Sequence, residues 1–392
     1  MAVGLRGLFK LNLGLAKSLV SKSNFINVSV RTLYVDRDLG IHTYENTRFV
    51  FRNQFVSIED TFRVKMREIC NKEDGVIFTE DLKAMIHLAQ SNEEDLQLVT
   101  EMLKKFINFK NNVQFGSYVF GPVLMRMLYY LNEPQKALDI FKNPELTETF
   151  MYHSAIRILL CLLYKHQMYQ DIRDVIDIAE KLKGKEFITS TIIIAYAACF
   201  KENTPEAAEY AIKSWKEHCK IRIPTSRATG IVSHIAIRHN SPEEALEMLS
   251  VAHRDGSIVI RCLKVLAYTK LGRYLQIIPM LKYSTEQDLS VPHKFGFYAD
   301  VICELEEKLK DDGASERDEI MYLISKLRQQ QRIESEKTLE EHLLRPLQFR
   351  SNQREDLNDR RSHMNRPRDE FKIENEFFKK SYVFRMDEES ES

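Results

Sequence analysis

The chain has 392 residues, 44% of them hydrophobic and 29% charged, and its 57 basic and 57 acidic residues cancel to a formal net charge of zero. That length and apolar content suffice for a continuous core with flanking segments, while a neutral total excludes wholesale attraction to nucleic acid, so any such binding has to use a local basic surface. No apolar run reaches the roughly 18 residues of a membrane span; the best, 188–200, includes Thr189, Ser190 and Thr191 and suits a buried helix.

The first 33 residues carry Arg6, Lys10, Lys17, Lys22 and Arg31 and no acid before Asp36. Leu8, Phe9, Leu11, Leu15, Leu19 and Val20 are interspersed among them, with serines at 18, 21, 23 and 29. A secretory signal would have an unbroken apolar stretch; this pattern is that of a mitochondrial presequence. We read 1–33 as a presequence cleaved just after Arg31, which leaves the remainder near −5. The expected compartment is the mitochondrial matrix.

Residues 34–110 read as an N-terminal extension and helical cap. Tyr44, Phe49, Phe51 and Phe55 mix with charge, and Thr61–Cys70 has a short helical pattern. After the turn at 71–75, helices are expected from Phe78 to Gln90 and over Glu93–Phe106, where Leu96, Val99, Leu103 and Phe106 fall at helical spacing. The Asp74-Gly75 turn does not make a calcium loop, because Cys70 and Lys72 stand where oxygen ligands are required.

From 111 to 285 one turn recurs. Asn132-Glu133-Pro134, Asn203-Thr204-Pro205 and Asn240-Ser241-Pro242 each follow an apolar run and open an amphipathic one. The prolines are 71 and 37 residues apart, and 71 is close to two periods of a helical-hairpin repeat. An intervening turn falls at Lys165–Tyr169, and another at Leu271-Gly272-Arg273-Tyr274. Proline inside a helix costs ~3 kcal/mol but is harmless at its first position, so each marks the start of a second helix. Thr204 and Ser241 stand at N-cap positions, and Ser241 with Glu244 has capping-box spacing. The expected hairpins are 117–147, 148–186, 187–223, 224–257 and 258–285. Each needs its neighbours to bury both apolar faces.

Residues 286–345 are dense in charge and Gln, with apolar positions at Leu305, Leu309, Ile320, Leu323, Ile324 and Leu327, and read as solvent-exposed helices or a C-terminal cap of the array. The tail 346–392 alternates charges with few aliphatics and is expected to be disordered, with Phe371, Phe377, Phe378 and Tyr382 available to a partner. The six cysteines are scattered, and Cys161, Cys199 and Cys262 lie in apolar runs as small hydrophobes. No metal, cofactor or nucleophile motif is present, so no cofactor and no enzymatic activity are expected.

The fold class is all-α: a right-handed α-solenoid of helical hairpins of pentatricopeptide/tetratricopeptide type. The first helices lack the early Trp of the tetratricopeptide motif. The stretches Gly75–His87 and Glu93–Phe106, the string Val119-Phe120-Gly121-Pro122-Val123-Leu124-Met125-Arg126 and the Asn203-Thr204-Pro205-Glu206 turn resemble pentatricopeptide repeat proteins of animal mitochondria over roughly residues 60–285. The resemblance implies an RNA-binding protein that takes single-stranded mitochondrial RNA and supports transcript maturation or processing, and through it the respiratory chain. It also implies a base-reading residue in each first helix. Counting back twelve from the turn positions 134, 169, 205, 242 and 273 gives Pro122, Arg157, Ile193, Gly230 and Arg261, of which only the arginines are polar. Sequence specificity is therefore expected to be weak.

RNA contact needs cations for phosphates and flat groups for bases. The candidates are Arg157, Arg261 and Lys264 on first helices, and Lys213, Lys216, Lys220, Arg222 and Arg227 around the third-to-fourth hairpin junction. Lys213, Lys216 and Lys220 share one helical face. The competing expectation is a protein-binding scaffold, such as a mitochondrial ribosome component or assembly factor, with RNA-processing or ribosomal proteins as partners.

Overall fold

The structure is a computed structural model that describes residues 33–110, 118–251, 257–286 and 296–347. The basic leader, apart from Leu33, and the tail from 348 onward lie outside the described residues. At the N-terminal side are α1 (Asp36–Leu39), α2 (Ile41–Phe55), α3 (Glu59–Asn71), α4 (Thr79–Leu88) and α5 (Glu93–Lys110). The stretch in which Tyr44, Phe49, Phe51 and Phe55 mix with charge is largely α2, buried through Ile41, Tyr44 and Phe55 and anchored where the Tyr44 hydroxyl donates to Ile86 O at 2.8 Å.

Paired helices follow: α6 (Phe120–Leu131) with α7 (Pro134–Lys142), α8 (His153–Lys165) with α9 (Tyr169–Lys183), then a single turn, α10 (Lys185–Ile188). Next come α11 (Ile192–Glu202) with α12 (Pro205–Cys219), α13 (Ser226–Arg238) with α14 (Pro242–Val251), and α15 (Ile258–Lys270) with α16 (Ile277–Glu286). The helices α17 (Ala299–Asp312) and α18 (Arg317–Gln329) form one more pair, and α19 (Leu339–Leu344) ends the described chain. Two short parallel strands, β1 (Phe297–Tyr298) and β2 (Ile333–Glu334), pair Phe297 with Ile333 and Tyr298 with Glu334.

The repeat is set by how each first helix stops. Asn132, Gln167, Asn203, Asn240 and Gly272 all take a left-handed conformation, at intervals of 32–37 residues. Asn and Gly tolerate that conformation best because a local side-chain hydrogen bond, or the absence of Cβ, removes most of its cost. At four of the turns the next amide reaches back five residues: Glu133 to Leu128 O, Met168 to Leu163 O, Ser241 to Ala236 O and Arg273 to Tyr268 O, all at 2.9–3.0 Å. Those bonds satisfy the orphan carbonyls of the helix end. The chain then re-enters helix at Pro134, Pro205 and Pro242, and the Thr204 hydroxyl accepts from the Ala207 amide at 3.2 Å.

Packing makes the pairs a stack. The first helices α6, α8, α11, α13, α15 and α17 touch in series, while α9, α12 and α14 each bridge to the following first helix. Helix α11 sits mid-stack and is buried from Ile192 through Phe200, as a helix apolar all round must be. Gly121 lets α6 approach the 3₁₀ turn Thr147–Phe150, since a Cβ there would lie 2.2 Å from Thr149 O. Cys161, Cys199 and Cys262 are buried free thiols. Of the two expectations for the helices after 286, the solvent-exposed one gives way to packing on the end of the stack: Leu305, Leu309, Ile320, Ile324 and Leu327 are fully buried, because α17 packs on α15 and α18 on α16.

Candidate nucleic-acid interface

Both ends of the described chain lie across the first helices. At the N-terminal end, Arg126 of α6 donates to Leu39 O at 2.9 Å and the Tyr129 hydroxyl to Asp36 Oδ1 at 2.9 Å, which fixes α1 on the array. Leu33 and Tyr34 are 1% and 4% exposed. The Arg157 guanidinium lies 5.1 Å from the centre of the Tyr34 ring. At the C-terminal end, α19 packs on α13 and α15, with Leu343 0% exposed and a Cβ built on Gly230 only 3.1 Å from it. The two ends meet where the Leu347 amide donates to Leu33 O at 2.7 Å.

Between them a cavity of about 300 Å³ opens at the α11–α13 junction, lined by Tyr34, Ile193, Arg222, Thr225 and Leu347 among others. Its lining is mostly apolar and hydroxyl side chains with one arginine, Arg222, and Arg227 lies near it, close enough to Tyr34 to act on that phenol. Arg227 is half-buried; its Nε donates to Leu343 O at 2.8 Å and its Nη2 to Arg345 O, so its partners are backbone carbonyls. Burial, reinforced by Arg345, pushes the Arg227 guanidinium down to about 10. Burial likewise pushes His342 down to about 4, and the charged neighbours that add to this, Arg345, Arg227 and Lys337, are all cations. Burial raises the Tyr34 phenol, against the pull of Arg157 and, more weakly, Arg227. An arginine in a low-dielectric cleft that is answered by carbonyls and not by a carboxylate keeps an unneutralised charge, which an anion can occupy.

The sequence candidates divide. Arg222, exposed, lines this cleft, while Arg227 lies near it and Arg157 flanks it through Tyr34. Lys213 on α12 and Lys220 just past its end are exposed but line a different groove, with Arg238, Asn240 and Glu244. Lys216 there is ion-paired with Glu244 at 3.0 Å, and the adjacent Glu217 pairs with Lys185. Lys264 is half-buried on α15. Arg261 is corrected by the structure to a packing residue: it is 5% exposed, donates to Gly296 O at 3.0 Å and lies 5.6 Å from the centre of the Phe297 ring. The eight cations therefore do not form one surface. Sequence reasoning missed Tyr34 and Arg345, which carry no local signal, and Arg238, which lies 4.1 Å from the centre of the Phe200 ring.

One buried titratable pair adjoins the cavity. Burial works against charging His218, but Glu180 at 3.2 Å and Ser214 O at 2.9 Å together raise its proton affinity. Among the described residues no three or more His, Cys, Asp or Glu side chains are arranged to hold a metal ion, and no helix is long and apolar enough to cross a membrane.

The fold and its covered first-helix face define an all-α helical-repeat protein. Among curated proteins the chain is similar to Pentatricopeptide repeat-containing protein 2, mitochondrial, of Mus musculus, at 28% identity over 245 residues, 62% of this chain and 64% of that one. The protein of the same name from Homo sapiens is 24% identical over 241 residues (61% and 62% of the two chains), and that from Xenopus laevis 23% over 285 (72% and 74%). The resemblance to pentatricopeptide repeat proteins is shown by these matches. The chain spans a little under two thirds of the length of the relatives from Mus musculus, Pongo abelii and Homo sapiens. No family model and no solved structure matches.

Proposed function

We propose that this chain is a mitochondrial, matrix-located, non-catalytic RNA-binding repeat protein. It takes single-stranded mitochondrial RNA and supports the maturation or processing of mitochondrial transcripts, and through them respiratory-chain function. The observation that carries the reading is the cleft at the α11–α13 junction, where Arg222 stands exposed in the lining and the nearby, half-buried Arg227 is answered by backbone carbonyls. An exposed arginine at the mouth of such a cleft suits a phosphate of a single-stranded backbone. The names of the relatives support both the repeat class and the compartment. With apolar Ile193 and Gly230 at two of the counted base-reading positions, backbone contact outweighs base recognition.

The test is fluorescence anisotropy of a labelled single-stranded RNA against the full chain over a range of salt. Log affinity is expected to fall with log salt at a slope of about −0.7 per phosphate contacted, and Arg222→Ala is expected to weaken binding at unchanged melting temperature. A flat salt dependence, or binding indifferent to Arg222, contradicts the proposal. The scaffold reading has one specific observation in its favour: the groove on α12 carries mixed, largely paired charge, which suits a peptide better than a phosphate backbone.

A further inference from the structure

Helix α13 carries an arginine near each end, Arg227 and Arg238, and α19 answers both. Arg227 donates to Leu343 O in the last turn of α19 and to Arg345 O just beyond it. Last-turn carbonyls lack helical partners and sit at the negative end of the helix. At the other end, Arg238 is ion-paired with the Glu340 carboxylate. The two arginines are eleven positions apart, about 16 Å along a helix. Thus a helix of six residues presents to α13 the kind of acceptors that the phosphates of a nucleic acid would present.

The attachment of α19 is small. Leu339 and Leu343, 1% and 0% exposed, are its only fully buried side chains. Its remaining ties are Leu339 N to Asp300 Oδ2 at 2.9 Å, the Tyr298 hydroxyl with His342 Nδ1 at 2.5 Å, and the Leu347–Leu33 bond beyond its end. Two apolar anchors and a few polar contacts make a locally reversible element within a much larger stack.

We propose that α19 is a built-in competitor for RNA on α13: it occupies Arg227 and Arg238 in the closed state, and RNA engages that face only when 339–347 swings away. The inference rests on the RNA reading above and names its regulation. Apparent affinity is then the intrinsic affinity scaled by the open fraction, so a closed state populated at about 90% weakens binding about tenfold.

The experiment compares three full-length proteins against one labelled single-stranded RNA, with hydrogen exchange of 226–238 and 339–347 as an independent readout of undocking. Leu339→Ala/Leu343→Ala removes both anchors without changing charge. Leu33→Cys/Leu347→Cys, in a Cys303→Ser background and oxidised, locks the two ends together. The expected result is about tenfold tighter binding by the first variant, with faster exchange, and weaker binding by the locked one than by its reduced form. Equal affinities despite faster exchange overturn the competitor role and leave RNA binding standing. Exchange showing α19 released while no variant binds RNA overturns the RNA reading, and the competitor role with it. Should the alanine variant lose its fold, the locked protein decides: unchanged affinity on oxidation refutes the inference.

Discussion

The Leu347 amide and the Leu33 carbonyl lie 2.7 Å apart, so the two ends of the described chain, 314 positions apart, are joined over the first-helix face. Neither residue has a charged or capping side chain; the contact exists because α1 and α19 are each anchored on the same row of helices. Leu347→Pro removes the donor and costs about 1 kcal/mol locally. Hydrogen exchange is expected to quicken over 33–39 and 339–347 and to stay unchanged in α8 and α11. Unchanged exchange at both ends would show that the bond does not hold them.

Arg261 belongs to the core that supports β1. Its replacement by alanine breaks a hydrogen bond from a charged group and leaves Gly296 O unanswered, a loss of about 1.5–3 kcal/mol. Thermal unfolding is expected to shift down accordingly, while RNA affinity of the folded fraction stays within twofold. A loss of affinity at unchanged stability would return Arg261 to the binding surface.

The left-handed Asn203 offers a test of the repeat turn. Its φ is 54°, and its side-chain oxygen is 3.2 Å from His239 Nε2 in the following turn, as Asn132 is 2.9 Å from His166 Nε2. Asn203→Gly is expected to be nearly neutral, whereas Asn203→Val should cost about 1–2 kcal/mol through the Cβ clash. Urea unfolding of both variants measures the difference. Equal stability would mean that the turn is not fixed by this conformation.

Stability should fall on acidification. Burial, reinforced by Arg238, pushes His234 down to about 3, against about 6.5 in an unfolded chain. Below pH of about 6.5 the unfolded state takes up a proton that the folded state refuses, so the contribution is full above that pH and declines toward about 3. His342, pushed down to about 4, acts in the same direction. The opposite sign holds for His218, whose raised proton affinity stabilises the fold at low pH and is lost as pH rises through its folded-state pKa. Each depressed histidine steepens the acid limb by up to about 1.4 kcal/mol per pH unit. His234→Leu is expected to flatten denaturant-derived stability between pH 6 and 4; an unaltered slope would show that His234 is not the titrating group.

The hairpin stack was legible because its determinants are local. A proline at a helix start and an Asn at the preceding helix end act within one turn of chain, and Pro134, Pro205 and Pro242 do so. The site was less legible because its determinants are distant. Arg157 and Arg227 look alike in sequence, and their surroundings are set by Tyr34 and by Leu343 and Arg345 at the far ends of the chain. Arg261 read as a surface cation because nothing local announces that Phe297 packs on it. The charge of α17 and α18 concealed that their apolar stripes, Leu305–Leu309 and Ile320–Ile324–Leu327, continue the core.

Single-stranded RNA held at the α11–α13 cleft can be captured by crosslinking the tagged protein in living cells, purifying it from mitochondria, sequencing the attached RNA and mapping the crosslinked peptides by mass spectrometry. The expected result is mitochondrial RNA enriched at defined transcripts and crosslinks on peptides carrying Arg222 or Arg227. RNA no higher than background, with ribosomal or assembly proteins co-purifying instead, would contradict it and favour the scaffold.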